Sequence, residues 1–205
     1  MDRILVATDF SDRSNLAVRR AALIAQQTGA ALSVVHVVDN DQSGSMIDAE
    51  RDAAEAALED TARAIAQAVR IAVDLQVKVD DVTAGISAAA EASGAGLIII
   101  GTPRTRLRDV FVGTTAERMV RASRLPLLVA HQAASSPYAR TLLALDFDDA
   151  SKTAAMAAVS MGVFEHTSVV GMHAFELPAE RMMQRALLTP TAIYRSVDDE
   201  GRDAV

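Results

Sequence analysis

The chain contains no cysteine and no tryptophan, and its aromatic residues are limited to five phenylalanines and two tyrosines. Without cysteine there can be no disulfide framework and no thiol chemistry, and a reducing cytoplasm is the simplest location. Half of the residues are nevertheless hydrophobic. The core therefore has to be built from alanine, valine, leucine, isoleucine and methionine, as in an ordinary globular protein.

An excess of basic residues and a long apolar run are also missing. The formal net charge is -7, which disfavours non-specific binding to nucleic acid or to anionic membranes. No apolar run approaches the roughly 18–20 residues that a membrane span requires. The four histidines (His36, His131, His166 and His173) lie far apart, without metal-ligand spacing. We therefore expect a cytoplasmic protein without a nucleic-acid partner, a membrane anchor or a metal.

The chain does contain a repeat of its own beginning. The segment from Ile4 to Ser14 has a counterpart that starts at Thr141, and the same offset pairs His36 with His173. A period of this size is that of a domain. We predict a complete domain over 1–131, a linker over 132–138 and an incomplete second domain over 139–205. Either the chain is a shortened form of a longer tandem protein, or the incomplete second unit is native and a neighbouring molecule completes it.

The first unit alternates short apolar runs with helical patterns. The runs predict strands over 4–7, 31–38, 75–79, 97–100 and 125–130, and the patterns between them predict four helices. This alternation indicates an α/β fold with an open parallel sheet and helices on both faces. The most apolar strand, Leu97–Ile100, is predicted to be central. Ser87 is predicted to start a helix at Gly85–Ser93 rather than to serve as a nucleophile.

A candidate anion site follows the fourth strand. Gly101 ends that strand, a loop with three arginines follows, and Gly113-Thr114-Thr115 then opens a helix. Glycine permits close approach of a ligand to the backbone, and the free amides of a helix start attract an anion. The pattern favours a phosphate-sized anion. The alternative is a solvated loop in which Thr114 merely caps the helix.

These motifs resemble the universal stress protein family. The resemblance rests on strands that end at Asp9 and Asp39, on the segment from Gly113 to Arg118, and on the apolar last strand. It covers Asp2 to His131 and resumes over Tyr138 to about Phe175. It implies a five-stranded sheet in the order 3-2-1-4-5, and homodimers or intramolecular pseudo-dimers formed through the last strand.

One branch of the family binds ATP, and the resemblance implies where the nucleotide would lie. Asp9 would meet the ribose or adenine, the backbone of Val38 the adenine, and Gly101 the phosphates. The middle glycine of the family motif is missing, because Arg104 stands three residues after Gly101. The predicted set for ATP or a related adenine nucleotide is Thr8, Asp9, Val38, Gly101, Arg104, Gly113, Thr114 and Thr115.

The resemblance implies a nucleotide-responsive binding or regulatory module in the stress response, which acts on an unidentified protein partner. The alternative is an interaction module that binds no nucleotide and acts through its dimer or pseudo-dimer surface. An ATP-hydrolysing enzyme is the third hypothesis. No base is evident for it, and Asp9 is the only acid well placed for a metal.

Overall fold

The computed structural model describes residues 1–102, 114–163, 165 and 167–174. The chain divides into two compact units, of which the first comprises Met1–Pro137 together with Met161–Val163 and the second begins at Tyr138. The helix predicted from Glu176 to Leu188, and the loop residues Arg104 and Gly113, lie outside the described residues.

The first unit is built around one parallel sheet. Its strands run in the spatial order β3-β2-β1-β4-β5, which confirms the predicted fold and order. Every crossover carries a helix, as parallel neighbours require. In chain order the elements are β1 (Arg3–Ala7), α1 (Asp12–Thr28), β2 (Ala31–Val38), α2 (Gly44–Ala68), β3 (Val73–Val79), α3 (Val82–Ser93), β4 (Leu97–Gly101), α4 (Thr115–Ala122) and β5 (Leu127–Ala130).

The middle strand is β1, so the prediction that Leu97–Ile100 is central was wrong. β4 pairs with β1 on one side and with β5 on the other. Its apolar sequence reports burial on both faces, and Ile4, Leu5 and Val6 of β1 are equally buried. Apolarity therefore identifies the inner strands of this sheet but does not rank them.

Polar side chains cap the starts of α1 and α3. Ser11 caps α1 by accepting a hydrogen bond from the amide of Ser14, and Gly29 ends α1 with a φ of 73°, both as predicted. α3 begins earlier than predicted, because Asp81 caps it by accepting hydrogen bonds from the amides of Thr83 and Ala84. Ser87 lies inside α3 and donates to the carbonyl of Thr83, so the prediction that it starts the helix was wrong.

One part of the core fixes α3 and α4 against the sheet. Side chains of three strands and both helices form a single buried cluster, and each large apolar side chain in it contributes about 1.5–3 kcal/mol by leaving water. Gly85 allows this packing, since a Cβ there would lie 2.7 Å from Cγ1 of Val37. The starts of both helices are thereby held at the carboxyl end of the sheet. The cluster includes Leu5, Val35, Ile86, Ala89, Ile98, Ile100 and Met119.

The described part of the second unit is a strand, a helix and a strand, as predicted. β6 (Arg140–Ala144) and β7 (Ser168–Met172) form a parallel pair, with α5 (Asp149–Ser160) between them in the chain. No residue of α5 is buried. Leu142 and Met156 keep 60% and 63% of their surface exposed, in contrast to the closed core of the first unit.

A local geometry occurs in both units. The Nδ1 atom of His36 lies 2.8 Å from the carbonyl oxygen of Thr8, and that of His173 lies 2.7 Å from the carbonyl oxygen of Leu145. In each unit a phenylalanine two residues beyond that carbonyl contacts the imidazole and has a positive φ, 59° at Phe10 and 65° at Phe147. This recurrence supports a partial second copy of the first unit.

Candidate functional site

A cleft of about 500 Å³ opens at the carboxyl ends of β1, β2 and β4. β1 is flanked by β2 on one side and by β4 on the other, so the strand order reverses at this point. Open α/β sheets bind ligands at such a reversal. The lining combines polar groups from the β1 and β4 ends with apolar groups from the sheet and α3. It consists of Ala7, Thr8, Asp9, Ser11, Arg13, Ser14, Val35, His36, Val37, Val82, Ile86, Ile100, Gly101, Thr102, Thr114, Thr115 and Ala116.

Asp9 is the only carboxylate among those lining residues, and hydroxyl groups hold it in place. Ser11 donates to its Oδ1 atom from both Oγ, at 2.5 Å, and the backbone amide, at 3.1 Å. Burial raises the pKa of Asp9, but hydrogen bonds from Ser11 and Ser14 outweigh burial and hold it below its usual value. Asp9 is therefore ionised at neutral pH. It can accept hydrogen bonds from an amino or hydroxyl group, and it repels a phosphate.

Two stacked aromatic rings support the turn that carries Asp9. The rings of Phe10 and His36 stack at a centroid distance of 4.5 Å and an interplanar angle of 26°. His36 is buried, and its Nδ1 atom pairs with the carbonyl of Thr8. Its contacts are those of a structural residue, as predicted, although it also lines the cleft.

Gly101 lines the cleft, but its lack of a side chain has a second explanation. A Cβ at this position would lie 2.7 Å from the carbonyl oxygen of Arg13 and 3.0 Å from the amide nitrogen of Ser14. The first turn of α1 therefore packs directly on the end of β4, and only glycine allows this approach. The sequence suggested a glycine kept for a ligand, whereas the structure shows one that helix packing requires.

The start of α4 closes the opposite wall. Thr114 caps the helix by accepting a hydrogen bond from the amide of Glu117 at 3.2 Å. The capping role that the sequence left open is thus present. The next two amides, of Thr115 and Ala116, lie in the first turn, and no residue in the described ranges accepts a hydrogen bond from them. A bound anion could do so.

Five of the eight predicted site residues line one cleft: Thr8, Asp9, Gly101, Thr114 and Thr115. Val38 does not, since it is fully buried at the end of β2 and its carbonyl accepts a hydrogen bond from Asp80 at 3.1 Å. The other two, Arg104 and Gly113, lie outside the described residues.

Sequence reasoning missed several lining residues. Val82 and Ile86 reach the cleft because α3 starts at Val82, and the aspartate at position 81 was the available signal. Arg13 also lines the cleft, and a basic residue in the first turn of a helix was the signal there. Across the described ranges, no cluster of three potential metal-binding side chains occurs, and no helix is suited in length and apolarity to crossing a membrane.

A family model described as "Universal stress protein family" matches residues 1–131. The chain belongs to this family. A protein of the universal stress protein family from Burkholderia pseudomallei is 29% identical, with a TM-score of 0.52, and the match covers 62% of this chain and 94% of that one. A comparison with curated proteins gave no match.

Two structures from Archaeoglobus fulgidus are similar in fold. A universal stress protein solved in complex with dAMP is 22% identical, with a TM-score of 0.50, and the match covers 63% of this chain and 97% of that one. A universal stress protein from strain DSM 4304 is 19% identical, with a TM-score of 0.68, and the match covers 90% of this chain and 71% of that one. At these identities the likeness shows the fold alone.

Proposed function

We propose that the first unit binds ATP or a related adenine nucleotide in the cleft, and that the protein acts in the cytoplasm as a nucleotide-responsive regulatory module of the stress response. The observation that carries this proposal is the convergence of Thr8, Asp9, Gly101, Thr114 and Thr115 on one open cleft. The related structure with dAMP supports an adenine nucleotide as the ligand class.

The size and polarity of the cleft fit such a ligand. A volume of about 500 Å³ lies within the roughly 300–1,000 Å³ that small-molecule sites span. The ionised Asp9 suits the hydroxyl or amino groups of a nucleoside and excludes the phosphates from its side. The amides of Thr115 and Ala116, which donate to no residue in the described ranges, suit a phosphate. The two walls therefore favour one orientation, with the nucleoside towards Asp9 and the phosphates towards α4.

A second function, interaction without a nucleotide, has its own supporting observations. Gly101 is explained by its packing against α1, and Thr114 by its role as a helix cap. Neither residue therefore requires a ligand. In this hypothesis a homodimer or pseudo-dimer surface contacts the partner, and the cleft is unused.

Calorimetric titration with ATP, extended to millimolar concentration, separates the two functions. Thr115→Asp places a carboxylate in the first turn of α4, which favours the helix but repels a phosphate. We expect the wild type to bind and Thr115→Asp to lose at least about tenfold in affinity, which corresponds to 1.4 kcal/mol.

Thr115→Asn is the matched control, because its side chain has nearly the same shape and no charge. It should bind ATP within a fewfold of the wild type. Absence of binding by the wild type removes the nucleotide proposal and favours the interaction module. Equal affinities of the Asp and Asn variants place the phosphates away from α4.

A further inference from the structure

Arg13 is a cation in an electrostatically unfavourable place. It is the second residue of α1, directly after Asp12, and therefore lies in the first turn, where the helix dipole and the free amides are positive. A positive side chain is disfavoured there. Asp12 is the acidic residue of that turn, but no ion pair joins it to Arg13.

The guanidinium of Arg13 has no partner among the described residues that explains its position. Within the described ranges, no hydrogen bond or ion pair links it to another residue. Arg20, about two turns further along α1, shows the contrast, since it is buried and donates to the carbonyl of Ser136 at 3.0 Å. Arg13 is half-buried and lines the cleft.

The backbone of Arg13 is fixed at the junction of two cleft walls. Its carbonyl oxygen lies 2.7 Å from the point that a Cβ of residue 101 would occupy, so the first turn of α1 packs directly on the end of β4. The chain beyond β4 passes through Thr102, and α4 returns to the cleft at Thr114 and Thr115. Arg13 is thus anchored on the strand that precedes the predicted phosphate-binding segment.

We propose that Arg13 is a phosphate-binding residue of this cleft and makes the site selective for nucleotides over nucleosides. The inference rests on the proposed nucleotide binding. A guanidinium carries a full positive charge and forms paired hydrogen bonds with phosphate oxygens, whereas a helix amide is neutral and donates one hydrogen bond. An anion beside α1 also removes the unfavourable interaction of Arg13 with the helix start. Arg13 therefore destabilises the empty protein slightly and stabilises the loaded one.

The test measures, on the full chain, both the melting temperature of the ligand-free protein and its affinities for ATP and adenosine. Arg13→Gln should raise the melting temperature of the ligand-free protein slightly, because it removes a cation from the helix start. It should also weaken ATP binding at least tenfold in calorimetry, while the affinity for adenosine stays within twofold of the wild type. Arg13→Lys should recover part of the lost affinity, since it restores the charge without the planar fork.

Arg19→Gln is the matched control, because Arg19 is an exposed residue of the same helix. It should leave the affinities for ATP and adenosine unchanged. If the wild type binds ATP and Arg13→Gln binds it equally well, the role of Arg13 is refuted while the proposed function stands. Equal losses for ATP and adenosine also refute it, since they indicate a structural role. If the wild type binds no nucleotide, both proposals fail.

Discussion

Gly101→Ala tests how the cleft is built. Three backbone atoms of Arg13 and Ser14 would lie at 2.7, 2.9 and 3.0 Å from the new Cβ, whereas ordinary contacts begin at 3.4 Å. The start of α1 would have to retreat from β4 by about 0.7 Å. This retreat is resisted because α1 buries Ser14, Ala17 and Ala21 against the sheet.

The cost follows from this geometry. Overpacking a core typically costs about 1–3 kcal/mol, and the upper part of that range applies when rigid backbone has to move. We expect Gly101→Ala to lower the free energy of unfolding by about 2–3 kcal/mol. Urea denaturation followed by far-UV circular dichroism measures this value.

Gly44→Ala is the control for the exchange itself. Gly44 is the first residue of α2, and a Cβ there meets nothing within 4 Å. This variant should be neutral or more stable by less than about 1 kcal/mol. If Gly101→Ala matches Gly44→Ala in stability, the packing argument is refuted, and close approach of a ligand becomes the better explanation for Gly101.

Three further predictions concern local structure. Phe10→Ala and Phe10→Gly both lose the stacking on His36, but the positive φ at this position strains alanine and not glycine. Phe10→Gly should therefore be the more stable variant by about 1 kcal/mol in urea denaturation. The reverse order would contradict backbone strain at residue 10. Hydrogen bonds from the amides of Ala84 and Thr83, together with Arg118, lower the pKa of Asp81, so the stability it contributes is present above the ordinary carboxyl pKa and is lost as pH falls through the lowered value. Below about pH 4, Asp81→Asn should therefore lose less stability than the wild type, and parallel acid-denaturation curves would exclude this linkage. Ser87→Ala should change the free energy of unfolding by less than about 0.5 kcal/mol, since Ser87 only bonds back within α3, and a loss above 2 kcal/mol would show a role that this geometry lacks.

The sequence predicted the element order and sheet of the first unit because each element carried a local signal. Ser11 and Gly29 set the ends of α1, and alternation of strands and helices required a parallel sheet. The start of α3 was missed because the pattern was interpreted from Gly85 onward, whereas the cap is Asp81. A capping aspartate is recognised in a sequence only when its carboxylate is considered as the acceptor for the amides two and three residues after it.

The candidate site was less predictable, because it depends on contacts distant in sequence. The resemblance named Thr8, Asp9, Gly101, Thr114 and Thr115, and all five line the same cleft. The packing of α1 on Gly101, which also places Arg13 at the cleft, joins residues from different parts of the chain, and no local pattern encodes it. Val38 shows the opposite limit, since its end-of-strand position was right but its carbonyl is already paired with Asp80.

Nucleotide binding in the cleft of the first unit is tested most directly by an amide chemical-shift titration of the isotopically labelled protein with ATP. The strand end Ala144–Phe147 in the second unit corresponds to Ala7–Phe10 in the first, so it serves as an internal control. If ATP binds in this cleft, we expect saturable shifts at Thr8–Ser11, Thr102 and Thr114–Ala116, and none at Ala144–Phe147. Absence of shifts at the cleft, or shifts confined to the second unit, would contradict nucleotide binding there.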